Sequence, residues 1–303
     1  MTNSLFSILI ANYNNGHFFK DCYASIMAQT YENWEVILFD DASTDDSLSQ
    51  IKQLIGDDSR FKIFQNKHNK GCGYTKRKCA ELATGEICGF LDPDDTLDPE
   101  ALTLMIEAHL QRKECSIITS KYFQVGLDLK KIGVAQHGES IPKNKSYLTY
   151  GKGALTHFAT FKKELYEQTT GIDVKFKRAV DQDLYYKMEE VGAHFFLDKP
   201  IYNYRIHSNS ISANTNAYKA EYWHIRAMLD AYLRRKKNKL QIDNFKDREF
   251  KIFYSDYYYK RYSKARLDRN KKVQLYFVLM ALKEYPLRKT KKRLKEIIKI
   301  IVK

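Results

Sequence analysis

The chain has 303 residues, and its 51 Lys and Arg residues against 37 Asp and Glu residues give a formal net charge of +14. That length suits one large domain, or one domain with an appendage, and the apolar content is ample for a core. Five cysteines without a Cys-x-x-Cys pair argue against a disulfide framework and a zinc site, and favour a reducing cytosol. No secretory signal is evident, and the longest apolar run, at residues 273–282, is too short to span a bilayer.

The positive charge is concentrated in the last part of the chain. Residues 216–303 hold 26 basic and 9 acidic residues, a net charge of +17, whereas residues 1–215 hold 25 and 28, a net charge of −3. This asymmetry predicts two functional regions, the second of which meets an anionic partner.

Short apolar runs alternate with helical patterns through the first part of the chain. Apolar residues after the first two runs recur at helical spacing, and a helix at about residues 74–83 stops at Gly85. Near-continuous apolar strands with short connections are typical of a doubly wound α/β fold, a mostly parallel sheet flanked by helices. The predicted strands are residues 5–10, 36–39, 61–64, 87–91 and 116–120.

The pattern weakens between residues 124 and 149, where no element is predicted. Beyond it we expect a strand at residues 157–161, a helix opening at residues 176–188 and a strand at residues 201–207. Asp181 and Asp183 fall in the first turn of that helix, where the helix dipole favours carboxylates for structural reasons alone. His207 ends the last strand, and a lone histidine is more often structural than a ligand.

Acidic residues follow two of the predicted strands. Asp41 comes after the second strand, and Asp92, Asp94 and Asp95 come after the fourth. Because ligands bind at the carboxyl ends of strands in open α/β sheets, these acids predict one shared site. Carboxylates at such close spacing suit Mg²⁺ or Mn²⁺, particularly when phosphate oxygens complete the shell. The alternative is an acidic loop that begins a helix, with Asp98 or another acid as its cap.

The glycine motifs that usually cradle phosphates are absent from the sequence. Gly71 and Gly73 resemble the first half of the dinucleotide fingerprint, but Lys76 stands where the third glycine belongs, and the pair does not directly follow a strand. No Walker A motif is present either. A metal ion is therefore the expected clamp for phosphate groups.

Taken in order, these segments resemble the inverting family-two glycosyltransferases, which have the GT-A fold and use nucleotide-sugar donors. Residues 7–14 resemble the opening strand and nucleotide-binding turn, and residues 40–45, Asp-Asp-Ala-Ser-Thr-Asp, are similar to the family's Asp-Asp-Gly-Ser-Thr-Asp. Residues 83–95 match its Ala-Thr-Gly-Glu run and Asp-x-Asp motif, and residues 204–207 resemble its Tyr-Arg-x-His element. The resemblance covers about residues 4–215, so we expect a catalytic domain at residues 1–215.

The resemblance implies how the nucleoside is held. Ala11, which replaces a frequent proline or threonine, and Tyr13 would lie in the nucleotide-binding turn, with Tyr13 packing against the base. Asp41 would accept a hydrogen bond from the imide N–H of the base, which favours uracil or thymine over cytosine. Asp92 would hold the ribose hydroxyls.

The resemblance also implies how the diphosphate is held. Asp94 would bind Mn²⁺ or Mg²⁺ with help from His207, and the metal would bridge the two phosphates. Asp95 belongs to the same donor-binding motif. Lys76 would add positive charge near the phosphates, and the neighbouring Arg77 is the alternative for that role.

The implied reaction needs a base. Asp181 falls where the family places its catalytic base, and it would take the proton from the acceptor hydroxyl as that hydroxyl attacks the anomeric carbon. A single displacement from the face opposite the leaving group inverts that carbon. Asp183 is the second candidate for the base.

The region at residues 216–303 is basic, rich in tyrosine and expected to be helical. Leu294, Ile297, Ile298 and Ile301 recur at the spacing of one helix face, with lysines around them. That pattern is typical of an interfacial membrane helix, and equally of a helix that packs on the catalytic domain with its basic face in solvent. Nucleic-acid binding ranks last because no recognition motif supports it.

These observations predict a metal-dependent inverting glycosyltransferase. It would move a sugar, most simply from a UDP-sugar, to a hydroxyl of a glycan or lipid-linked acceptor in bacterial surface polysaccharide biosynthesis. We expect a cytoplasmic protein, with the C-terminal helix offering peripheral contact to the inner face of the membrane. A homodimer is one option for its assembly. The alternatives are a non-catalytic nucleotide-sugar-binding protein of the same fold and a nucleic-acid-binding protein that uses the basic tail.

Overall fold

Nine strands form one sheet in the computed structural model, which describes residues 4–151, 153–207, 217–242 and 245–302. Their order across the sheet is β3-β2-β1-β4-β8-β6-β9-β5, and β7 pairs with β6 outside this path. The strands are β1 (Phe6–Asn12), β2 (Trp34–Asp40), β3 (Phe61–Gln65), β4 (Ile87–Phe90), β5 (Thr96–Leu97), β6 (Cys115–Val125), β7 (Lys131–Val134), β8 (Thr160–Lys162) and β9 (Ala193–Arg205).

Helices flank this sheet and continue beyond it. A 3-10 turn at Gly16–Phe18 leads into the first of them. They are α1 (Phe19–Met27), α2 (Ser47–Ile55), α3 (Cys72–Leu82), α4 (Ala101–Gln111), α5 (Tyr147–Tyr150), α6 (Lys163–Glu167), α7 (Val180–Glu189), α8 (Ala217–Lys237), α9 (Asp247–Leu267), α10 (Lys271–Glu284) and α11 (Thr290–Val302).

The first half of the sheet is parallel and buried on both faces. β1 pairs in parallel with β2 and with β4, and β2 pairs in parallel with β3. Ile8 and Val36 point into one hydrophobic cluster, and their neighbours Leu9 and Ile37 point into the other. Burial on both faces explains why these strands read as continuous apolar runs. The parallel pairing brings the carboxyl ends of β1, β2 and β4 to one edge of the sheet.

The second half of the sheet is mixed. β8 runs antiparallel to β4 and to β6, whereas β6 and β9 are parallel. The predicted α/β fold with a helical C-terminal region is confirmed, and the expectation of parallel pairing holds for β3-β2-β1-β4.

A buried carboxylate ties the amino ends of the parallel strands together. Glu35, in β2, accepts hydrogen bonds from the Ser7 hydroxyl in β1, from Lys62 in β3 and from Thr84 before β4. Burial alone would raise the pKa of Glu35, but these donors lower it to about 2. Glu35 is therefore ionised. It fixes the strands at the end of the sheet opposite residues 92–95, the acidic turn that follows β4.

The predicted boundaries of three elements in the second half of the catalytic region differ from the structure. The helix expected at residues 176–188 begins at Val180, because Ala179 has a left-handed backbone with φ 51° and cannot continue a helix. The strand expected at residues 157–161 is β8, which begins at Thr160. The strand expected from residue 201 begins at Ala193 as β9, with a register shift against β6 near Pro200.

The C-terminal region shares part of its core with the sheet. Ala227 and Ala231 of α8 are fully buried in the same hydrophobic cluster as Leu9 and Ile37. Arg234 of α8 also forms an ion pair with Glu190, at 2.9 Å. A separate cluster joins α9, α10 and α11. No helix in the described part of the chain is both long and apolar enough to cross a bilayer.

Candidate active site

The acidic turn after β4 is fastened to β9 by Asp95. This side chain is 1% exposed, and its two carboxylate oxygens accept hydrogen bonds from the Tyr202 hydroxyl at 2.6 Å and from the Arg205 backbone N–H at 2.8 Å. Burial raises the pKa of Asp95 well above its usual value, and the charges of Asp94 and Asp92 add to the shift. Asp95 thus holds the turn in place and faces the protein interior.

Asp94 and His207 meet at the surface of this turn. The Asp94 Oδ2 atom lies 2.8 Å from the Nε2 atom of His207, whose side chain is largely buried. The Asp94 backbone carbonyl accepts a hydrogen bond from Arg205 Nε, which fixes the backbone behind the carboxylate. β9 ends at Arg205 and brings the Tyr-Arg-x-His segment, residues 204–207, next to the acidic turn.

A carboxylate and an imidazole fit a Mn²⁺ or Mg²⁺ ion that has further ligands outside the protein. Within the described ranges, no cluster of three or more His, Cys, Asp or Glu side chains is placed to bind a metal. Such ions are commonly held by one or two protein groups together with substrate phosphates and water. Asp94 and His207 supply this kind of partial site.

Lys76 of α3 contacts Asp92 in the acidic turn after β4. The Lys76 Nζ atom lies 2.9 Å from Asp92 Oδ1. Burial alone would lower the pKa of Lys76, but the Asp92 carboxylate outweighs it and the pKa is raised. Burial would raise the pKa of Asp92, and Lys76 lowers it instead. Both groups are therefore charged.

Arg77 points elsewhere. Its guanidinium donates to Glu81 at 2.8 Å and to the backbone carbonyls of Thr170 and Ile172. Arg77 thus connects α3 to the loop before α7, whereas Lys76 contacts Asp92 of the acidic turn.

Asp41 follows β2 at the same edge of the sheet. Its carboxylate accepts hydrogen bonds from Asn66 Nδ2 at 2.7 Å and from the backbone N–H groups of Lys70 and Gly71, each at 2.8 Å. A carboxylate has about four lone-pair sites, so roughly one remains for a ligand. Ala11 is half-buried near the end of β1, and Tyr13 is 45% exposed beyond it.

Asp181 and Asp183 have different surroundings although they share one helix turn. Asp181 is half-buried, and Gln182 donates to its Oδ2 atom at 3.2 Å. Asp183 is 1% exposed, and its Oδ2 atom accepts hydrogen bonds from Lys187 Nζ at 2.6 Å and from the Asp173 backbone N–H at 2.8 Å. Asp183 is a buried ion-pair partner.

Electrostatic effects place Asp181 near the acidic turn and near α8. After burial and the charge of Asp92, the Asp181 carboxylate also contributes to the pKa of Lys76 and raises it. Burial lowers the pKa of His224, in α8, and the Asp181 carboxylate opposes that shift. The charge of Asp181 therefore affects both Lys76 in α3 and His224 in α8.

His157 is a site residue that sequence reasoning missed. Its ring lies 5.2 Å from that of Tyr202 and 5.3 Å from that of Tyr204, nearly parallel to both. Burial lowers the pKa of His157, whereas the carboxylates of Asp92 and Asp181 oppose the shift. Its stacking on Tyr202, whose hydroxyl donates to Asp95, places the imidazole beside the acidic turn. In the sequence it is a lone histidine beside an apolar run, which carries no signal of such a position.

The sequence is similar to those of known proteins. Residues 7–170 match the sequence profile of Glycosyl transferase family 2. A chondroitin synthase from Pasteurella multocida is 30% identical over 214 residues, which are 69% of this chain and 21% of that protein. An Escherichia coli protein named UDP-Glc:alpha-D-GlcNAc-diphosphoundecaprenol beta-1,3-glucosyltransferase WfgD is 30% identical over 156 residues, 52% of this chain and 60% of that protein.

A solved structure has the same fold. Staphylococcus aureus TarS 1-349 in complex with UDP-GlcNAc superposes with a TM-score of 0.60 at 16% identity, over 92% of this chain and 81% of that chain. The match spans only about a fifth of the length of the chondroitin synthase. The match to the family profile covers more than half of the 303 residues, and the chain belongs to glycosyl transferase family 2.

Proposed function

We propose that this glycosyltransferase is metal-dependent and inverting, and that it transfers a sugar from a UDP-sugar to a hydroxyl of a glycan or lipid-linked acceptor. The observation that carries the proposal is the set of contacts at the end of β4, where Lys76 forms an ion pair with Asp92 and His207 contacts Asp94. A basic group, two acids and an imidazole at one strand end suit a nucleoside diphosphate and a divalent cation together.

The donor nucleoside lies along the ends of β1 and β2 in this proposal. The exposed Tyr13 ring packs against the base, Ala11 contributes backbone beside it, and Asp41 accepts the imide N–H with its remaining lone pair. Asp92 holds the ribose. The buried Asp95 acts on the donor indirectly, because it positions the turn that carries Asp92 and Asp94.

The diphosphate meets positive charge at Lys76. Asp94 and His207 are the residues that would hold Mn²⁺ or Mg²⁺, which stabilises the negative charge of the departing diphosphate when it is bound. Lys76 of α3 contacts Asp92 of the same turn and stays charged, so it neutralises a phosphate oxygen of the donor.

The Asp181 carboxylate takes the proton of the acceptor hydroxyl. As the acceptor oxygen bonds to the anomeric carbon, the bond from that carbon to the phosphate oxygen breaks and the nucleoside diphosphate leaves with the electron pair. Attack from the opposite face inverts the carbon, and no covalent intermediate with the protein forms. The half-buried position of Asp181 keeps it accessible to an acceptor.

The names of the relatives guide the choice of substrates. UDP-GlcNAc bound to TarS supports a UDP-sugar donor, and the diphosphoundecaprenol in the name of WfgD supports a lipid-linked acceptor. Chondroitin is a polysaccharide, which agrees with a role in surface polysaccharide synthesis. We assign the chain to that process in bacteria.

Nucleotide release from a panel of UDP-, GDP- and dTDP-sugars, with Mn²⁺ and with EDTA, tests the proposal. We expect metal-dependent turnover of one UDP-sugar, since Asp41 favours an imide-bearing base. Binding of a UDP-sugar without turnover, even when candidate acceptors are added, would instead identify a non-catalytic nucleotide-sugar-binding protein. Binding of no donor would contradict the donor-site assignment.

The C-terminal helix α11 is a second part of the proposal, as a peripheral membrane contact. Leu294, Ile298 and Ile301 are 49%, 59% and 68% exposed, and Lys295 and Lys299 are exposed beside them. An exposed apolar stripe bordered by lysines suits the headgroup region of an anionic membrane, where lipid-linked acceptors lie. The protein would then act at the cytoplasmic face of the membrane.

Replacing Ile298 and Ile301 together by aspartate is expected to release the protein from anionic liposomes. Both side chains are exposed, so the fold is retained while apolar contact is lost and two negative charges are added. Co-sedimentation with liposomes that contain phosphatidylserine, an anionic lipid of the cytoplasmic leaflet, measures the effect. Leu267→Asp, at an 82% exposed leucine that ends α9, is the matched control. Equal sedimentation of all three proteins would reject the membrane contact.

A further inference from the structure

A cavity of about 310 Å³ lies between the segment before α7 and the helices α8 and α9. Small-molecule sites commonly measure roughly 300–1,000 Å³, so this space can take one small ligand group such as a sugar ring. Its lining combines three basic side chains with three aromatic rings: Lys177, Arg178, Lys219, Tyr222, Trp223 and Tyr257.

This cavity adjoins the proposed catalytic base. Lys177 precedes Asp181 by four residues, and the ring of Phe176 contacts that of Trp223 at 5.1 Å between centroids. The next residue of α8, His224, responds to the charge of Asp181. The segment that carries the base therefore also supplies part of the cavity lining, and this segment packs against α8.

The lining has the chemistry of a site for an acidic sugar. Aromatic rings offer apolar faces on which the C–H faces of a pyranose pack, and lysine ammonium groups bind carboxylate or phosphate through charge-assisted hydrogen bonds. Lys177 and Lys219 are both exposed. None of the described residues that line the cavity is acidic, and the nearby Glu221 forms an ion pair with Lys260. The described lining of the cavity is therefore basic and aromatic.

We propose that this cavity binds the acceptor, and that the acceptor carries an anionic group on or next to the sugar that receives the transferred unit. The sugar ring packs on Trp223 and Tyr222, and Lys177 and Lys219 hold its negative charge. The acceptor hydroxyl then points toward Asp181. This inference rests on the proposed function and names the substrate class of the same reaction.

Two acceptors share this chemistry, and the test separates them. One is a uronic acid at the end of a glycan, and the other is a sugar phosphate such as the one next to a lipid carrier. The probes are a glucuronate-terminated disaccharide, N-acetylglucosamine 1-phosphate and a neutral glucose-terminated disaccharide. Binding is measured by NMR titration on the full chain with UDP and Mn²⁺ present.

We expect one anionic probe to bind, and Lys177→Gln and Lys219→Gln each to weaken that binding by about tenfold, the effect of losing one charge-assisted hydrogen bond. Lys271→Gln, at an exposed lysine that begins α10, should leave binding unchanged. The probe that binds identifies the source of the negative charge. Equal binding of the neutral disaccharide, binding insensitive to both lysine substitutions, or no binding of either anionic probe would overturn the inference.

UDP binding by the wild-type protein is measured in the same samples. Absence of UDP binding would contradict the proposed function itself. UDP binding without binding of an anionic probe would contradict only the assignment of the cavity, so the two failures are distinguishable.

Discussion

The Asp181→Asn substitution is expected to lower the rate of sugar transfer by about 10²–10⁴-fold, the usual contribution of a general base. Asparagine has nearly the same shape as aspartate but cannot accept the proton of the acceptor hydroxyl. Asp181 is half-buried and accepts a hydrogen bond from Gln182. The amide oxygen of an asparagine can still accept that hydrogen bond. The fold and the donor site should therefore persist. Transfer kinetics with a competent acceptor, together with UDP affinity, measure the effect.

Asp183→Asn is the informative contrast, because the two acids lie two residues apart. Its expected effect is on stability: the buried Lys187 loses its ionic partner, which costs about 3 kcal/mol of unfolding free energy. Urea denaturation measures that loss. The exposed Asp198→Asn serves as a surface control for both assays. If Asp183→Asn abolished transfer in folded protein while Asp181→Asn left it intact, the base would be wrongly assigned.

The separation of these two acids shows where sequence information ends. Both occupy the first turn of α7, and helix periodicity alone cannot say which one is buried. The distinction arises from the left-handed Ala179, which sets the start of the helix, and from Lys187 one turn later, which pairs with Asp183. These are three-dimensional contacts that bury Asp183 in an ion pair, and a local sequence pattern does not reveal them.

The parallel half of the sheet was predictable for a physical reason. Strands buried on both faces must be apolar throughout, so β1, β2 and β4 stand out in the sequence, and the acids that follow β2 and β4 must meet at one edge. The mixed half was less visible. β9 starts in the half-exposed run from Ala193, and β5 has only two residues, so neither has a strong periodic signal.

The C-terminal helix illustrates a partial success of periodicity. The spacing of Leu294, Ile297, Ile298 and Ile301 predicts one apolar face of α11. The structure leaves Leu294, Ile298 and Ile301 exposed, whereas Ile297 is half-buried against the cluster that joins α9, α10 and α11. The buried face instead contains Arg293, whose guanidinium donates to the Ser255 hydroxyl and to the Ala281 carbonyl. A pattern of hydrophobic residues could not identify a face that is buried around an arginine.

Asp94→Ala is expected to remove the response of donor turnover to Mn²⁺ or Mg²⁺ and to lower that turnover by about 100-fold or more. The reason is that a bound metal ion supplies several kcal/mol of charge stabilisation to a departing diphosphate, and Asp94 is the only anionic group in contact with His207 among the described residues. Asp95 cannot replace it, because its oxygens are engaged by Tyr202 and Arg205.

Initial rates of UDP release across a Mn²⁺ titration, with EDTA as the zero point, measure this effect. His207→Gln should weaken the metal response less than Asp94→Ala does, because it removes a neutral ligand and leaves the anionic one. Asp46→Asn, at an exposed acid just before α2, is the matched control and should behave as wild type. Wild-type turnover that is unaffected by EDTA would mean that Lys76 neutralises the diphosphate without a metal ion. Lys76→Gln would then become the more damaging substitution, since it removes the ammonium group that contacts Asp92.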